Sequence, residues 1–163
     1  MKRIFAALAL GAAVLVAACA TRGDTTAGQN AASAQSFDEV LGKVWALDEL
    51  VTESGAIIIN RGKLKADGMG DAFTLQADAE RISGMGAPNR YFSPYRVGED
   101  QEISISPIAG TLMMGLTDPE GLQEREYFNY LEQTNQWRLT GDKLELYSET
   151  PEGDPVIMIF TLR

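Results

Sequence analysis

Trp137 to Tyr147 reads W-R-L-T-G-D-K-L-E-L-Y, with apolar side chains on alternate positions either side of Gly141-Asp142. No other stretch restricts the backbone as much. Period two places Trp137 and Leu139 on one face of an extended chain, and Leu144 and Leu146 on one face of the next. A Gly-Asp pair supplies a tight turn needing positive φ. The stretch therefore predicts a β-hairpin with an apolar face, and an isolated hairpin is at best marginal in water, so more strands or a helix must cover it.

The rest of the chain supplies candidates. Gln101 to Ile108 alternates Ile103 and Ile105 with Glu102, Ser104 and Ser106, and Ala72 to Gln76 alternates Phe73 and Leu75. Both predict strands. Gly55 to Asn60 is a short β-branched run between turn residues. Lys43 to Val51 sets Val44 and Ala46 against Trp45 and Leu47 before falling into a mixed register, and suits a first strand after a helical turn at Phe37 to Leu41 and a break at Gly42. Ile82 leads into Gly84 and Gly86, which read as turn or bulge glycines because no strand-loop-helix unit surrounds them for a phosphate cradle. Asn89 to Val97 has the aromatic and β-branched content favoured on a pleated surface. Val156 to Leu162 is nearly continuous in apolar character, which predicts burial on both faces.

One helix is expected. Asp118 is an acceptable N-cap with Pro119 at the first helical position, and Glu120 and Glu124 complement the helix dipole. Tyr127, Phe128, Tyr130 and Leu131 fall within one arc that would face a sheet. Glu124, Glu126 and Glu132 read as a solvated face. The predicted class is α+β: an antiparallel β-rich roll or small barrel-like sheet with one principal helix.

The first residues carry an address. Lys2 and Arg3 precede an uncharged run from Ile4 to Ala18, the layout of a signal peptide over residues 1–18. A spanning helix needs about 20 apolar residues, and this run is short and alanine-rich. Val16-Ala17-Ala18-Cys19 resembles the bacterial lipobox, which implies cleavage before Cys19 and a diacylglyceryl group on its thiol; an ordinary small residue or unmodified thiol is the alternative. Acyl chains anchor by about 0.8 kcal/mol per buried methylene, so several hold far more firmly than one. Ala20 stands where inner-membrane lipoproteins commonly carry aspartate, so the resemblance implies the periplasmic face of the outer membrane, with a Gram-positive surface as the competing address. Residues 19–36 are rich in Ala, Ser, Thr, Gly, Gln and Asn, and read as a lipidated flexible tether reaching about 20–25 Å.

Composition narrows what residues 37–163, enough for one domain, can do. Lys and Arg number 14 against 23 Asp and Glu, a formal net charge of −9. Loss of Lys2 and Arg3 makes the remainder more acidic still, which argues against a nucleic-acid partner. There are no histidines and one cysteine, so a histidine triad, a histidine-ligated zinc and an internal disulfide are all excluded. Asp118, Glu120, Asp142, Glu152 and Asp154 lack the spacing of a calcium loop. No cofactor or metal is expected.

Several blocks occur in an order that resembles the META-domain family of bacterial lipoproteins and HslJ-like heat-shock proteins. They are Trp45-Ala46-Leu47, Gly84-Met85-Gly86-Ala87-Pro88-Asn89-Arg90-Tyr91-Phe92, Pro107 to Gly115, the helical E-x-x-Y-F-x-x-L of Glu124 to Leu131, and Gly141 to Leu146. In many members cysteines stand at the places here held by Pro88 and Gly115, which implies that these two positions are neighbours in space. Asn89 and Thr111 are the polar residues singled out by these blocks. They would form a small polar site, or else Asn89 fixes a turn while Thr111 satisfies a buried backbone group.

Taken together, these features predict a non-enzymatic envelope lipoprotein, a binding or stress-response module that meets an unidentified envelope protein or ligand near the membrane. Two alternatives stay open. One is a carboxylate-dependent hydrolase of the cell envelope, which would need two acidic side chains about 5–9 Å apart across a cleft. The other is an enzyme inhibitor acting through an exposed loop such as Thr150 to Pro155.

Overall fold

The structure, a computed structural model, describes residues 36–115 and 119–163. The predicted signal peptide, Cys19, the predicted tether as far as residue 35, and Asp118 lie outside them. Strands β1 (Val44–Thr52), β2 (Gly55–Ile58), β3 (Thr74–Ala77), β4 (Arg81–Met85), β5 (Arg90–Val97), β6 (Ile103–Ile105), β7 (Ala109–Gly110), β8 (Gln136–Thr140), β9 (Lys143–Glu149) and β10 (Pro155–Leu162) form one sheet with two helices, α1 (Arg61–Ala66) and α2 (Glu124–Glu132). Trp137 pairs with Leu146 and Leu139 with Leu144 across the β8–β9 hairpin, and Gly141 takes φ 63° at its turn. The alternation produced the predicted pairing.

The strand order is β6-β5-β4-β3-β1-β10-β9-β8, with β2 added on β1 and β7 on β5, and the pairings are antiparallel. The two ends of this order meet. Glu102 bridges Gln136, Ile103 N–H donates to the Asn135 carbonyl at 3.1 Å, and Trp137 N–H donates to the Gln101 carbonyl at 2.9 Å. The result is a nearly closed, barrel-like antiparallel sheet. Its interior is filled by one side of the main strands, including Trp45, Leu47, Leu75, Ile82, Tyr91, Leu144, Leu146, Met158 and Phe160, while β2 and β7 bury no residue.

The two open ends are plugged differently. Phe37, in a short 3-10 turn at Phe37–Glu39, packs tilted against Tyr95 at 5.3 Å and edge-on to Trp137 at 5.0 Å between ring centroids. Tyr127 of α2 packs at the other end of β5, edge-on to Tyr91 at 5.9 Å and to Phe73 at 5.3 Å. Edge-to-face geometry of this kind adds to the burial of the rings.

Three expectations are corrected and a fourth is explained. The principal helix begins at Glu124, not near Asp118: Gly121 is left-handed at φ 83° and Gln123 is extended, so the backbone cannot be helical there. Gln123 is the N-cap, its N–H bonded to Glu126 Oε2 at 2.9 Å, and Pro119 is buried ahead of the helix. The mixed register of the first strand is a bulge between Leu47 and Glu49, which lets Trp45, Leu47 and Leu50 all point inward. The last strand buries Val156, Met158 and Phe160 while Ile157 and Ile159 are only half-covered, so it has one inner face and not two. Finally α1 was not expected. Asn60 caps it by accepting from Lys63 N–H at 2.9 Å, and Arg61 reaches the carbonyls of Ala72 and Phe73 at 2.5 and 2.9 Å. Those bonds hold Phe73 at φ 52°, a region disfavoured for a bulky residue. Burial lowers the Arg61 pKa from its usual value, opposed by the charge of Asp48.

Candidate functional site

The turn between β4 and β5, Gly86 to Asn89, runs under the first turn of α2, and its Ala87–Pro88 bond is cis. Glu124 Oε1 accepts from Ala87 N–H at 2.5 Å and from Asn89 N–H at 2.6 Å. Glu124 Oε2 accepts from Asn89 Nδ2 at 2.7 Å. Gly86 makes this approach possible, since a Cβ there would lie 2.4 Å from Glu124 Oε1 and 2.7 Å from Phe128 Cζ. One carboxylate thus organises the whole turn.

Asn89 passes the connection on. Its Oδ1 accepts from the Thr111 hydroxyl at 2.8 Å and from Met113 N–H at 2.6 Å, and its Nδ2 also donates to the Met113 carbonyl at 3.2 Å. Thr111 Oγ1 accepts from Arg90 N–H at 3.2 Å, while Thr111 N–H donates to the Arg90 carbonyl at 3.0 Å. Asn89 is buried, and both amide protons and both lone pairs of its carbonyl are used. The chain Glu124–Asn89–Thr111–Met113 is a saturated clamp. The structure joins the two predicted polar residues directly, and Asn89 does fix a turn while Thr111 satisfies a backbone donor. Pro88 and Gly115 lie on the two segments that Asn89 and Met113 bond together.

Beneath the turn lies a second polar knot. Tyr91 and Tyr127 hydroxyls both reach the Thr74 carbonyl, at 2.9 and 3.1 Å, and stand 3.1 Å from each other. Gly84 leaves room for it: a Cβ there would fall 1.9 Å from Thr74 O. Burial raises the pKa of both phenols well above the ordinary tyrosine range.

The acidic helix face is solvated only in part: Glu126 is exposed, whereas Glu124 and Glu132 are half-buried. Besides Glu124, Glu126 caps the helix and Glu132 Oε1 accepts from Ile108 N–H at 2.7 Å, tying β7's approach to α2. Helical spacing carried the missed signal. Glu124, Tyr127, Phe128 and Leu131 stand at i, i+3, i+4 and i+7, so Glu124 lies on the inward stripe and not opposite it.

Between α2 and the segment after β7 is a groove of about 310 Å³, lined by Asn89, Ile108, Thr111, Leu112, Arg125 and Phe128 among others. A larger, open recess of about 830 Å³ lies at the meeting of β6 and β8, where Arg96 and Glu102 are its charged lining residues. The Thr150 to Pro155 loop is the β9–β10 connection, folded on itself by Thr150 Oγ1, which accepts from Glu152 and Asp154 N–H at 3.2 Å. Among the described residues no three His, Cys, Asp or Glu side chains gather in a metal-holding group, and no helix is long and apolar enough to cross a membrane.

Two solved structures share the fold. The NMR structure of a protein from Burkholderia xenovorans superposes with a TM-score of 0.55 at 21% identity, covering 77% of this chain and 85% of that one. The crystal structure of a DUF4847 family protein from Bacteroides vulgatus gives a TM-score of 0.50 at 13% identity, covering 77% of this chain and 95% of that one. No curated protein sequence matches the chain significantly. The META domain model matches residues 38–159, spanning the barrel, the clamp and α2, and the chain belongs to the META domain family.

Proposed function

We propose that this chain is a lipid-anchored protein of the cell envelope, held through Cys19 at the periplasmic face of the outer membrane, whose domain is a non-enzymatic binding or stress-response module. The observation that carries the reading is the saturation of the clamp. Every polar group of Asn89 is spent on holding the β4–β5 turn and Met113 in place, which suits presentation of the Thr111 to Gly115 segment to a partner better than it suits chemistry at Asn89 or Thr111. The charged leader, the apolar run and the position of Cys19 support the anchor.

Replacing Cys19 with serine tests it. Labelled palmitate should enter the wild type and not the variant, and the variant should move from the membrane to the soluble fraction. Membrane association that is unchanged in the variant, with no label in the wild type, would overturn the reading.

A further inference from the structure

The segment that the clamp holds is apolar and lies in water. Leu112, Met113 and Met114 are 100%, 61% and 93% exposed, and Phe92, on the strand beside it, is 49% exposed. Asn89 bonds both backbone groups of Met113, and Thr111 is tied to Arg90, so this segment is fixed with its large side chains outward. Grouped exposure of this kind marks an interaction surface.

Charge identifies the partner. The chain has 23 acidic residues, yet β4, β5, β6 and β7 contain none of them, while β4 and β5 carry Arg81, Arg90 and Arg96. The carboxylates that bound this region are Asp78 and Glu80 before β4 and Glu99, Asp100 and Glu102 after β5. Arg90, Phe92, Pro94 and Arg96 alternate on the outer side of β5, Arg81 sits 5.9 Å from the Phe92 ring, and Arg125 lines the groove with Leu112. Among the described residues Arg90, Arg96 and Arg125 make no salt bridge. The nearest helix carboxylates, Glu124 and Glu132, line the groove with Arg125 and keep their charge, but their bonded oxygens are turned to backbone N–H groups and they pair with none of these arginines. An otherwise acidic protein therefore has one face on which cations frame a protruding apolar loop.

We infer that this face docks on an anionic phospholipid bilayer, with Leu112 and Met114 entering the acyl boundary and Arg90 and Arg125 meeting headgroup phosphates, while Arg81 is paired with Asp78 at 3.5 Å. Apolar side chains ringed by cations are what such an interface accepts, and the acidic remainder of the domain is repelled from it, which fixes the orientation. The inference deepens the proposed function, resting on its placement of the chain at a membrane.

The test uses protein purified from its own membranes and mixed with phosphatidylglycerol vesicles carrying brominated acyl chains. Met114→Trp places an indole on the loop, and the native Trp45 and Trp137, 0% and 3% exposed, give a background read from the wild type. Bromine should quench the added indole. Each cation near an anionic surface is worth about five-fold in partition, so Arg90→Gln with Arg125→Gln should lower partition of the loop into the bilayer about 25-fold, and phosphatidylcholine vesicles should lower it comparably. Leu112→Asp, a fully exposed site, should abolish quenching without unfolding the barrel.

The outcomes separate the anchor from the docking. Flotation with quenching but without acyl label keeps the docking face and removes the anchor. Flotation with acyl label and an indole still open to aqueous iodide keeps the anchor and overturns the docking face. Absence of flotation overturns both, and protection of the indole by soluble envelope proteins without vesicles overturns the lipid surface in favour of a protein.

Discussion

Glu124→Ala is the sharpest perturbation of the clamp. The substitution removes the acceptor of Ala87 N–H and Asn89 N–H, both from a buried turn, and one of the two acceptors of Asn89 Nδ2. Each stranded buried donor costs about 1–3 kcal/mol, and bonds to a carboxylate lie toward the stronger end. The Nδ2 group keeps its Met113 partner and counts for little. Two stranded amides give a loss of about 3–4 kcal/mol, part of which water entering the vacated space would recover. For a domain of this size about 4 °C of Tm follows each kcal/mol, so the melting point should fall by about 10–15 °C. A thermal melt measures that shift, and urea unfolding followed through the buried indoles of Trp45 and Trp137 measures the free-energy loss. Glu124→Gln keeps one oxygen for the two amides but turns an amide nitrogen toward Asn89 Nδ2, so its loss should be intermediate. Because the damage passes through Asn89, amide exchange at Met113 should accelerate along with that at Ala87. A Glu124→Ala protein within about 0.5 kcal/mol of wild type, with Met113 still protected, would refute the assignment of Glu124 as the organiser of the turn.

The other expectations concern packing and pH. Gly84→Ala forces a methyl group to 1.9 Å from the Thr74 carbonyl and should cost about 3 kcal/mol or more; a wild-type melt would contradict the close approach. Tyr91 and Tyr127 have folded pKa values raised by burial, so they hold their protons longer folded than unfolded. Their contribution is complete below the unfolded value of about 10 and disappears as pH rises past it toward the folded values. Stability should fall with pH above about 10, more steeply in wild type than in Tyr91→Phe, and parallel slopes in an alkaline denaturation series would rule this out.

What was legible in the chain follows physical range. Alternation is local, so the β8–β9 hairpin, β6 and the inward positions of β1 could be read directly from side-chain order. The bulge after Leu47 could not, because it is set by pairing with Phe160 and Ile159 on β10. Helix α1 has six residues, a glycine among them, and no apolar period; its stability comes from Asn60 and from the contacts of Arg61 with distant carbonyls. Asp118-Pro119 has good starting chemistry for a helix, but Leu122 is buried and Gly121 turns left-handed, delaying the start to Glu124. At the candidate site Asn89 and Thr111 were visible as polar residues within motifs. Glu124 was hidden by its charge, although its spacing from Tyr127 and Leu131 placed it on the inner stripe.

The pairing of β1 with β10 bears on when the fold can form. Thr161 Oγ1 bonds Asp48 Oδ2 across 113 residues of sequence, and Trp45 lies opposite Leu162. Contacts so distant demand loop closure before they return any energy, which slows folding. During synthesis, the first strand has no partner on that side until the final strand has left the ribosome. The barrel therefore closes only once its last strand is available, and until then β1 keeps one unpaired edge open to solvent or to another chain.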